Sequence, residues 1–251
     1  MTQTGNPIRP TTPEAIGLAK GLLRTARHGA IAVLDPATGR PLASRVAVAT
    51  DIDGTPLILV SGLAAHTPGL LAHPASSLLL GEPGKGDPLA HPRITIHCEA
   101  EKVAPTAPDY ARIRRRYLNH NPKGSLYVDL GDFSFFRLKV ESASLNGGFG
   151  KAFNLRREDL LCAKDASERF ADGEQEAIDA LNRKDRDTVP RILQTLLKVA
   201  SVNDRGKVIG LDPDGMDIAL GDTVLRHGFS SAFDSPSLMV KTLTKWENKA
   251  P

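Results

Sequence analysis

The chain has 251 residues, 41% of them hydrophobic and 24% charged, which is ordinary for a globular protein with core enough for one large domain or two modest ones. Its 32 basic and 29 acidic residues give a net charge of +3, too balanced to favour nucleic acid as a partner. No apolar run has the length of a signal peptide or a membrane span. We therefore expect a cytoplasmic protein without a nucleic-acid or membrane partner.

The beginning of the chain predicts a flexible leader followed by a helix. Residues 1–12 are polar and contain prolines, which is typical of a disordered segment. Thr12 then precedes Pro13, so Thr12 is expected to be the N-cap of a helix that Pro13 starts. An apolar segment at residues 30–34 predicts the first strand.

Residues 41–74 predict two strands and a short helix. Residues 42–50 alternate between two faces, and Arg45 shares its face with alanines, which leaves room above it for a ligand or a neighbouring subunit. Turn residues lead into a second strand at 55–61. A helix is expected to begin near Thr67, with Thr67 as its N-cap.

The same segment gathers five side chains that suit a phosphate. Arginine binds phosphate through paired hydrogen bonds, hydroxyls supply further donors, and the first turn of a helix favours an anion. We interpret the five as phosphate donors; the alternatives are an intersubunit salt bridge for Arg45 and a local hydrogen bond for His66. The five residues are Ser44, Arg45, Ser61, His66 and Thr67.

Further strands are predicted at residues 76–80, 92–104 and 132–145, with a helix at 109–120. The helix is rich in arginines, which we expect to lie mostly in solvent. These arginines are Arg112, Arg114, Arg115 and Arg116.

A glycine-rich loop follows the last of these strands. Its glycines allow the backbone to approach a flat or charged ligand closely, and a tight crossover loop without a ligand is the alternative. The loop consists of Asn146, Gly147, Gly148, Phe149 and Gly150.

The pattern changes near Glu158, which predicts a second, small α+β domain. We expect a barrel domain at 13–158 and a C-terminal domain at 159–251. The C-terminal domain is predicted to contain helices at 166–184, 188–200 and 235–245, and strands at 207–211, 216–220 and 223–227.

Three other functions lack their motifs. The loop containing Gly84-Lys85-Gly86 does not have the spacing of a nucleotide-binding P-loop, and no GxSxG elbow indicates a hydrolase. The histidines and Cys98 do not have the spacing of zinc ligands, so no metal site is predicted.

Several stretches together resemble a known family. The runs SRVAVATDIDGTPLILVSGLAAHT, DPLAHPRITI, RIRRRYLNHNP and GDFSFFRLKVESASLNGGFGKA resemble the FMN-binding split-barrel proteins related to pyridoxamine-phosphate oxidase, and within them the HugZ-type haem-utilisation branch. The resemblance implies a split β-barrel, a homodimer and FMN at the subunit interface, bound by the five phosphate donors with the loop at 146–150 closing over the cofactor or the partner subunit. It implies an oxidoreductase whose substrate and catalytic residues the sequence does not define.

One departure from the branch concerns haem. The branch commonly has a His-Met-Asn-x-Asp-His segment in its C-terminal domain, and the matching stretch here is ALNRKD at residues 180–185, without histidine. The imidazoles best suited to ligate haem iron are therefore absent there. We expect FMN binding, with a haem-binding protein and a cofactor-free regulatory scaffold that binds another protein as alternatives.

Overall fold

A computed structural model describes residues 8–148, 150–183, 188–195 and 206–245. The chain divides into two compact units, Met1–Leu161 and Cys162–Pro251. The first unit is built mainly of antiparallel strands and the second is a small α+β unit. The predicted α+β class, a split barrel followed by a C-terminal α+β region, is confirmed.

The first unit is a barrel of six strands in the order β7-β4-β3-β2-β5-β6, closed by a further pairing of β6 with β7. Strand β8 extends the sheet from β7, and the short β1 pairs with β8 in parallel. The strands and helices of this unit are β1 (Ile8–Arg9), α1 (Pro13–Thr25), β2 (His28–Leu34), β3 (Pro41–Thr50), β4 (Pro56–Ser61), α2 (Thr67–Ala72), β5 (Ala75–Leu80), β6 (Arg93–Lys102), α3 (Tyr110–His120), β7 (Phe133–Asn146), β8 (Ala152–Arg156) and α4 (Arg157–Leu160).

The barrel interior is apolar because every second strand residue points inward. Ile31, Leu78, Ile96 and Leu138 are completely buried there. Each such side chain contributes about 1.5–3 kcal/mol on burial. Cys98 also faces the interior, and burial, with a smaller contribution from the charge of Glu141, raises its pKa to about 12, so it is an unreactive core thiol.

The barrel is split between β3 and β4. These strands pair only at Val48↔Ile58, Ala49↔Leu57 and Thr50↔Pro56. At the end of this short ladder the Asn121 side-chain amide donates to the Val48 carbonyl at 2.8 Å. The same register, extended by three more pairs, would set Arg45 opposite Ser61, but the strands part before reaching them.

Three arginines hold the turn between β3 and β4. Arg24, buried on α1, donates to the carbonyls of Asp51 and Ile52, each at 2.9 Å. On α3, Arg116 donates to the Thr50 carbonyl at 2.8 Å, and Arg112 donates two hydrogen bonds, at 3.0 and 2.9 Å, to the Asp51 carboxylate. These contacts satisfy turn carbonyls that have no strand partner.

The prediction that the arginines of α3 lie in solvent is therefore wrong for two of them. Arg116 is buried, and the Arg112 side chain is 27% exposed. Burial by itself would raise the pKa of Asp51, but the hydrogen bonds and charge of Arg112 outweigh burial and hold that pKa below its usual value. Asp51 is thus a buried carboxylate that depends on Arg112.

The second unit has a three-stranded antiparallel sheet in the order β11-β10-β9, and helices α5 and α6 contact β9. Arg226 on β11 forms buried ion pairs with Asp212 and Asp217, each 2.8 Å away. The elements of this unit are α5 (Lys164–Ala171), α6 (Glu174–Leu181), α7 (Thr188–Thr195), β9 (Lys207–Asp212), β10 (Gly215–Leu220), β11 (Thr223–Gly228) and α8 (Pro236–Lys245).

Most predicted elements occur where the sequence places them, but the short α4 is not predicted, and there are other differences. The helix predicted at 166–184 is two helices, because Gly173 precedes α6 as its N-cap in a non-helical conformation. Strand β8 is not predicted by the sequence, and the leader segment contains β1, whose backbone pairs with the edge of β8. The part of the helix predicted at 196–200 lies outside the described residues.

The turn contacts predict a difference between two arginines on the same helix. Replacing Arg112 by Ala leaves the buried Asp51 carboxylate without its bidentate partner, and we expect the free energy of unfolding in urea to fall by about 2–3 kcal/mol. The control Arg114→Ala removes an exposed ion pair with Asp129 and should change the free energy of unfolding by less than about 0.5 kcal/mol. Equal losses in the two variants would contradict the structural role of Arg112.

Candidate functional site

Ser61 ends β4, and its hydroxyl is already engaged. The hydroxyl donates to the Asp132 carboxylate and accepts from the Leu63 backbone N–H at 3.0 Å. A phosphate here would meet the negative charge of Asp132. Ser61 is therefore not a free phosphate donor in this conformation.

Thr67 differs from its predicted role. The N-cap of α2 is His66, and Thr67 is the first helical residue. The Thr67 hydroxyl donates to the Ser61 carbonyl at 2.7 Å instead of capping the helix. This bond fixes α2 against the end of β4 and uses the donor that the sequence assigned to a phosphate.

His66 is buried, with 6% of its surface exposed. Within the described part of the chain, neither of its ring nitrogens has a hydrogen-bond partner. Burial lowers the pKa of His66, so the ring is neutral at pH 7. An imidazole with two unpaired nitrogens destabilises the fold unless a water or a ligand atom reaches it.

Ser44 and Arg45 are consecutive on β3, opposite Ile31 and Ala30 of β2, so their side chains point to opposite faces of the strand. Arg45 is exposed. Neither side chain makes a hydrogen bond or ion pair with another residue that the structure describes. Of the five predicted phosphate donors, Ser44, Arg45 and the buried His66 are therefore the ones without a described side-chain partner.

The glycine-rich loop is the tight turn between β7 and β8. The Asn146 side chain accepts a hydrogen bond from Gly148 N–H at 3.0 Å, and Gly147 N–H donates to the Lys151 carbonyl at 2.8 Å. Gly148 has φ +105°, and a Cβ there would lie 2.9 Å from the Ala90 carbonyl oxygen, so only glycine fits. Phe149 lies outside the described residues.

One chain does not bring this turn to the phosphate segment. Asn146 ends β7, whereas Ser61 pairs with Phe133 at the other end of that 14-residue strand. Arg45, on β3, is separated from β7 by three strands on one side of the barrel and by β4 on the other. The predicted closure of the loop over a cofactor therefore requires a second copy of the chain.

The outer surface of β3, β2, β5 and β6 forms a face that the sequence does not reveal. Its side chains are mostly small, and they alternate with the buried residues of the interior. The register aligns them in rows across the sheet, one running Arg45, Ala30, Leu79, Thr95 and the next Ala43, Ala32, Ser77, His97. We call this surface the small-residue face; it consists of Ala30, Ala32, Leu34, Ala43, Arg45, Ser77, Leu79, Thr95 and His97.

In the C-terminal unit, the stretch that replaces the histidine motif has a structural role. The Asn182 side chain donates to the Val208 carbonyl at 2.8 Å and accepts from the Val208 N–H at 2.9 Å, which joins α6 to β9. Lys184 and Asp185 lie outside the described residues. His227, on β11 as predicted, packs edge-on against Phe229 with ring centroids 5.4 Å apart.

The chain was compared with protein families, curated proteins and solved structures. No family model matches the chain. A stretch of 116 residues, 46% of the chain, is 41% identical to the non-canonical heme oxygenase HOZ, a chloroplastic protein of Arabidopsis thaliana, and spans 34% of that protein's length. Among solved structures, the protein Atu2129 of unknown function from Agrobacterium tumefaciens has a TM-score of 0.80 and 27% identity over 96% of this chain and 100% of its own.

A heme binding protein from Mycobacterium smegmatis matches with a TM-score of 0.54 and 24% identity, over 97% of this chain and 100% of its own. The chain resembles the split-barrel proteins related to pyridoxamine-phosphate oxidase, and its fold is the split barrel that this resemblance implies. The chain shares the fold of this heme binding protein over nearly its whole length. None of its described helices is long and apolar enough to cross a membrane.

The unpaired nitrogens of His66 give a testable consequence for stability. Since burial depresses its native pKa, the unfolded chain takes up a proton below about pH 6.5 that the native chain resists. Stability should therefore fall as the pH drops below 6.5. His66→Leu should raise the free energy of unfolding at pH 8 by about 1 kcal/mol and flatten this decline.

Urea unfolding at several pH values measures both effects, with His73→Leu as the control for loss of an exposed histidine. If His66→Leu destabilises the protein at pH 8, the ring has a hydrogen-bonding partner in solution, and the account above is wrong.

Proposed function

We propose that the protein binds haem on the small-residue face of its barrel and acts as a homodimer. The observation that carries the proposal is the 41% identity, over 116 residues, to a heme oxygenase. The fold shared along 97% of the chain with a heme binding protein supports it.

The chemistry of the small-residue face suits a porphyrin, which is broad, flat and mostly apolar and carries two carboxylates. Leu34 and Leu79 are each 42% exposed on this face, so covering them removes apolar surface from water. Between them the alanines leave room for a flat group. Arg45, at the β3 edge of the face, has the planar guanidinium that pairs with a carboxylate through two hydrogen bonds.

A second copy would complete such a site. A flat ligand on an open sheet face keeps one side in water, and a partner subunit packed over it would bury that side. The partner would also supply the 146–150 turn, which a single chain holds away from Arg45. This arrangement agrees with the homodimer that the family resemblance implies.

A second candidate is an FMN-dependent oxidoreductase of the pyridoxamine-phosphate-oxidase type. Arg45, exposed and available to a ligand, favours it, because a phosphate monoester is close to dianionic at pH 7 and pairs well with arginine. The carboxylate of Asp132 on Ser61 weighs against the full shell of five donors. Haem is therefore the first candidate, and FMN would be held mainly through β3.

The two ligands are distinguished by titrating the purified full-length protein with hemin and, separately, with FMN. We expect hemin to give a protein-bound Soret band that saturates at micromolar concentration, while FMN fluorescence stays unquenched. Quenching of FMN without a hemin-dependent Soret band would favour the flavoprotein. Absence of both signals would overturn the proposal, and the cofactor-free regulatory scaffold would be the remaining hypothesis.

Arg45→Ala tests the position of the site. Loss of one charge-assisted contact to a carboxylate or phosphate should raise the Kd of the bound ligand about tenfold or more. The dimer, measured by light scattering after size-exclusion chromatography, should persist. Arg114→Ala, which lies on α3 and pairs with Asp129, is the control and should bind normally. Loss of the dimer without a change in ligand affinity would instead assign Arg45 to the subunit contact.

A further inference from the structure

The small-residue face contains one histidine, on its β6 edge. His97 lies in the middle of β6, where the register places it between Ser77 of β5 and Ser142 of β7. Its neighbours Ile96 and Cys98 point into the barrel, so its own side chain points outward. The side chain is partly exposed.

The orientation of this imidazole is fixed by one contact. The Ser77 hydroxyl oxygen lies 3.2 Å from His97 Nδ1. The tautomer in which Nδ1–H donates to Ser77 leaves a lone pair on Nε2. Among the described residues, the contact with Ser77 is the hydrogen bond of this ring, and it uses Nδ1 and not Nε2. A histidine whose Nδ1 donates to an oxygen while Nε2 stays open has the usual arrangement of a metal-ligating imidazole.

His97 also lies in a cleft. An open depression of about 320 Å³ is lined by Ala32, Leu34, Pro41, Ala75, His97 and Glu141, among others. This volume is at the lower end of the range for small-molecule sites, so a larger flat ligand would extend from it over the rest of the face. Arg45 is three strands and two residues away from His97, about 16 Å at 4.8 Å per strand and 3.3 Å per residue. An iron-centred macrocycle with peripheral carboxylates and an extended arginine side chain together cover such a distance.

The other described histidines are less suited to ligate a metal on this face. His66 and His120 are buried, His28 pairs with Glu82, and the His91 ring contacts the Lys85 carbonyl. His73 follows α2 and His227 belongs to the C-terminal unit.

We propose that His97 ligates haem iron through Nε2 and that Ser77 positions its ring. This inference rests on the proposed haem binding and deepens it by assigning the ligand to the barrel. The C-terminal unit, which lacks the histidine motif of the haem-utilisation branch, is then not required to supply one. His97 replaces that motif with a ligand built into the sheet.

The test is hemin titration of the full-length protein and its His97→Ala variant, followed by absorption and electron paramagnetic resonance. We expect the wild type to give the spectra of a histidine-ligated haem. His97→Ala should lose that signature and bind hemin at least tenfold more weakly, and added imidazole should restore the signature. Circular dichroism and the variant His97→Gln control for folding, and His91→Ala controls for loss of an exposed histidine elsewhere.

Ser77→Ala should keep the ligand but shift the spectra, because the ring loses the contact that orients it. Wild-type spectra in both His97 variants would overturn the assignment of His97 while leaving haem binding intact. Absence of hemin binding by the wild type would instead overturn the proposed function, so the two failures are distinguishable.

Discussion

The barrel depends on how the turn between β3 and β4 is held. Thr50, Asp51 and Ile52 are buried at that turn, so their carbonyls and the Asp51 carboxylate need hydrogen-bond partners within the protein. A buried polar group without a partner costs about 1–3 kcal/mol. Arg24 from α1 and two arginines from α3 satisfy these groups together. The same contacts attach both helices to one end of the barrel.

This attachment explains why one part of the sheet is covered and another is not. Helix α3 lies over the outer surfaces of β3, β4 and β7, where Leu57, Leu59 and Phe135 form a second core with Tyr117. At the end of α3, Asn121 hydrogen-bonds to Val48 at the point where the β3–β4 ladder stops. On the small-residue face, by contrast, Leu34 of β2 and Leu79 of β5 are each 42% exposed.

The sequence predicts the elements well and the site less well, for physical reasons that particular residues illustrate. Alternation fixes which face of β3 contains Arg45, and Thr12 marks the start of α1, because both signals are local. The burial of Arg116 could not be predicted, since its partner is a carbonyl 66 residues away. The commitment of Ser61 to Asp132, 71 residues further on, is invisible for the same reason.

The position of the candidate site follows from register, which a single sequence does not specify. Nearness along the chain grouped Arg45 with Ser61, His66 and Thr67, but the ladder that would align Arg45 with Ser61 ends before it reaches them. The register of β2, β5 and β6 instead places Arg45 on the same surface as His97, 52 positions later. The guanidinium of Arg45, which can bind a carboxylate, and the imidazole of His97, whose Nε2 is open, thus lie on one surface. Together they suit a porphyrin with peripheral carboxylates better than they suit an isolated phosphate.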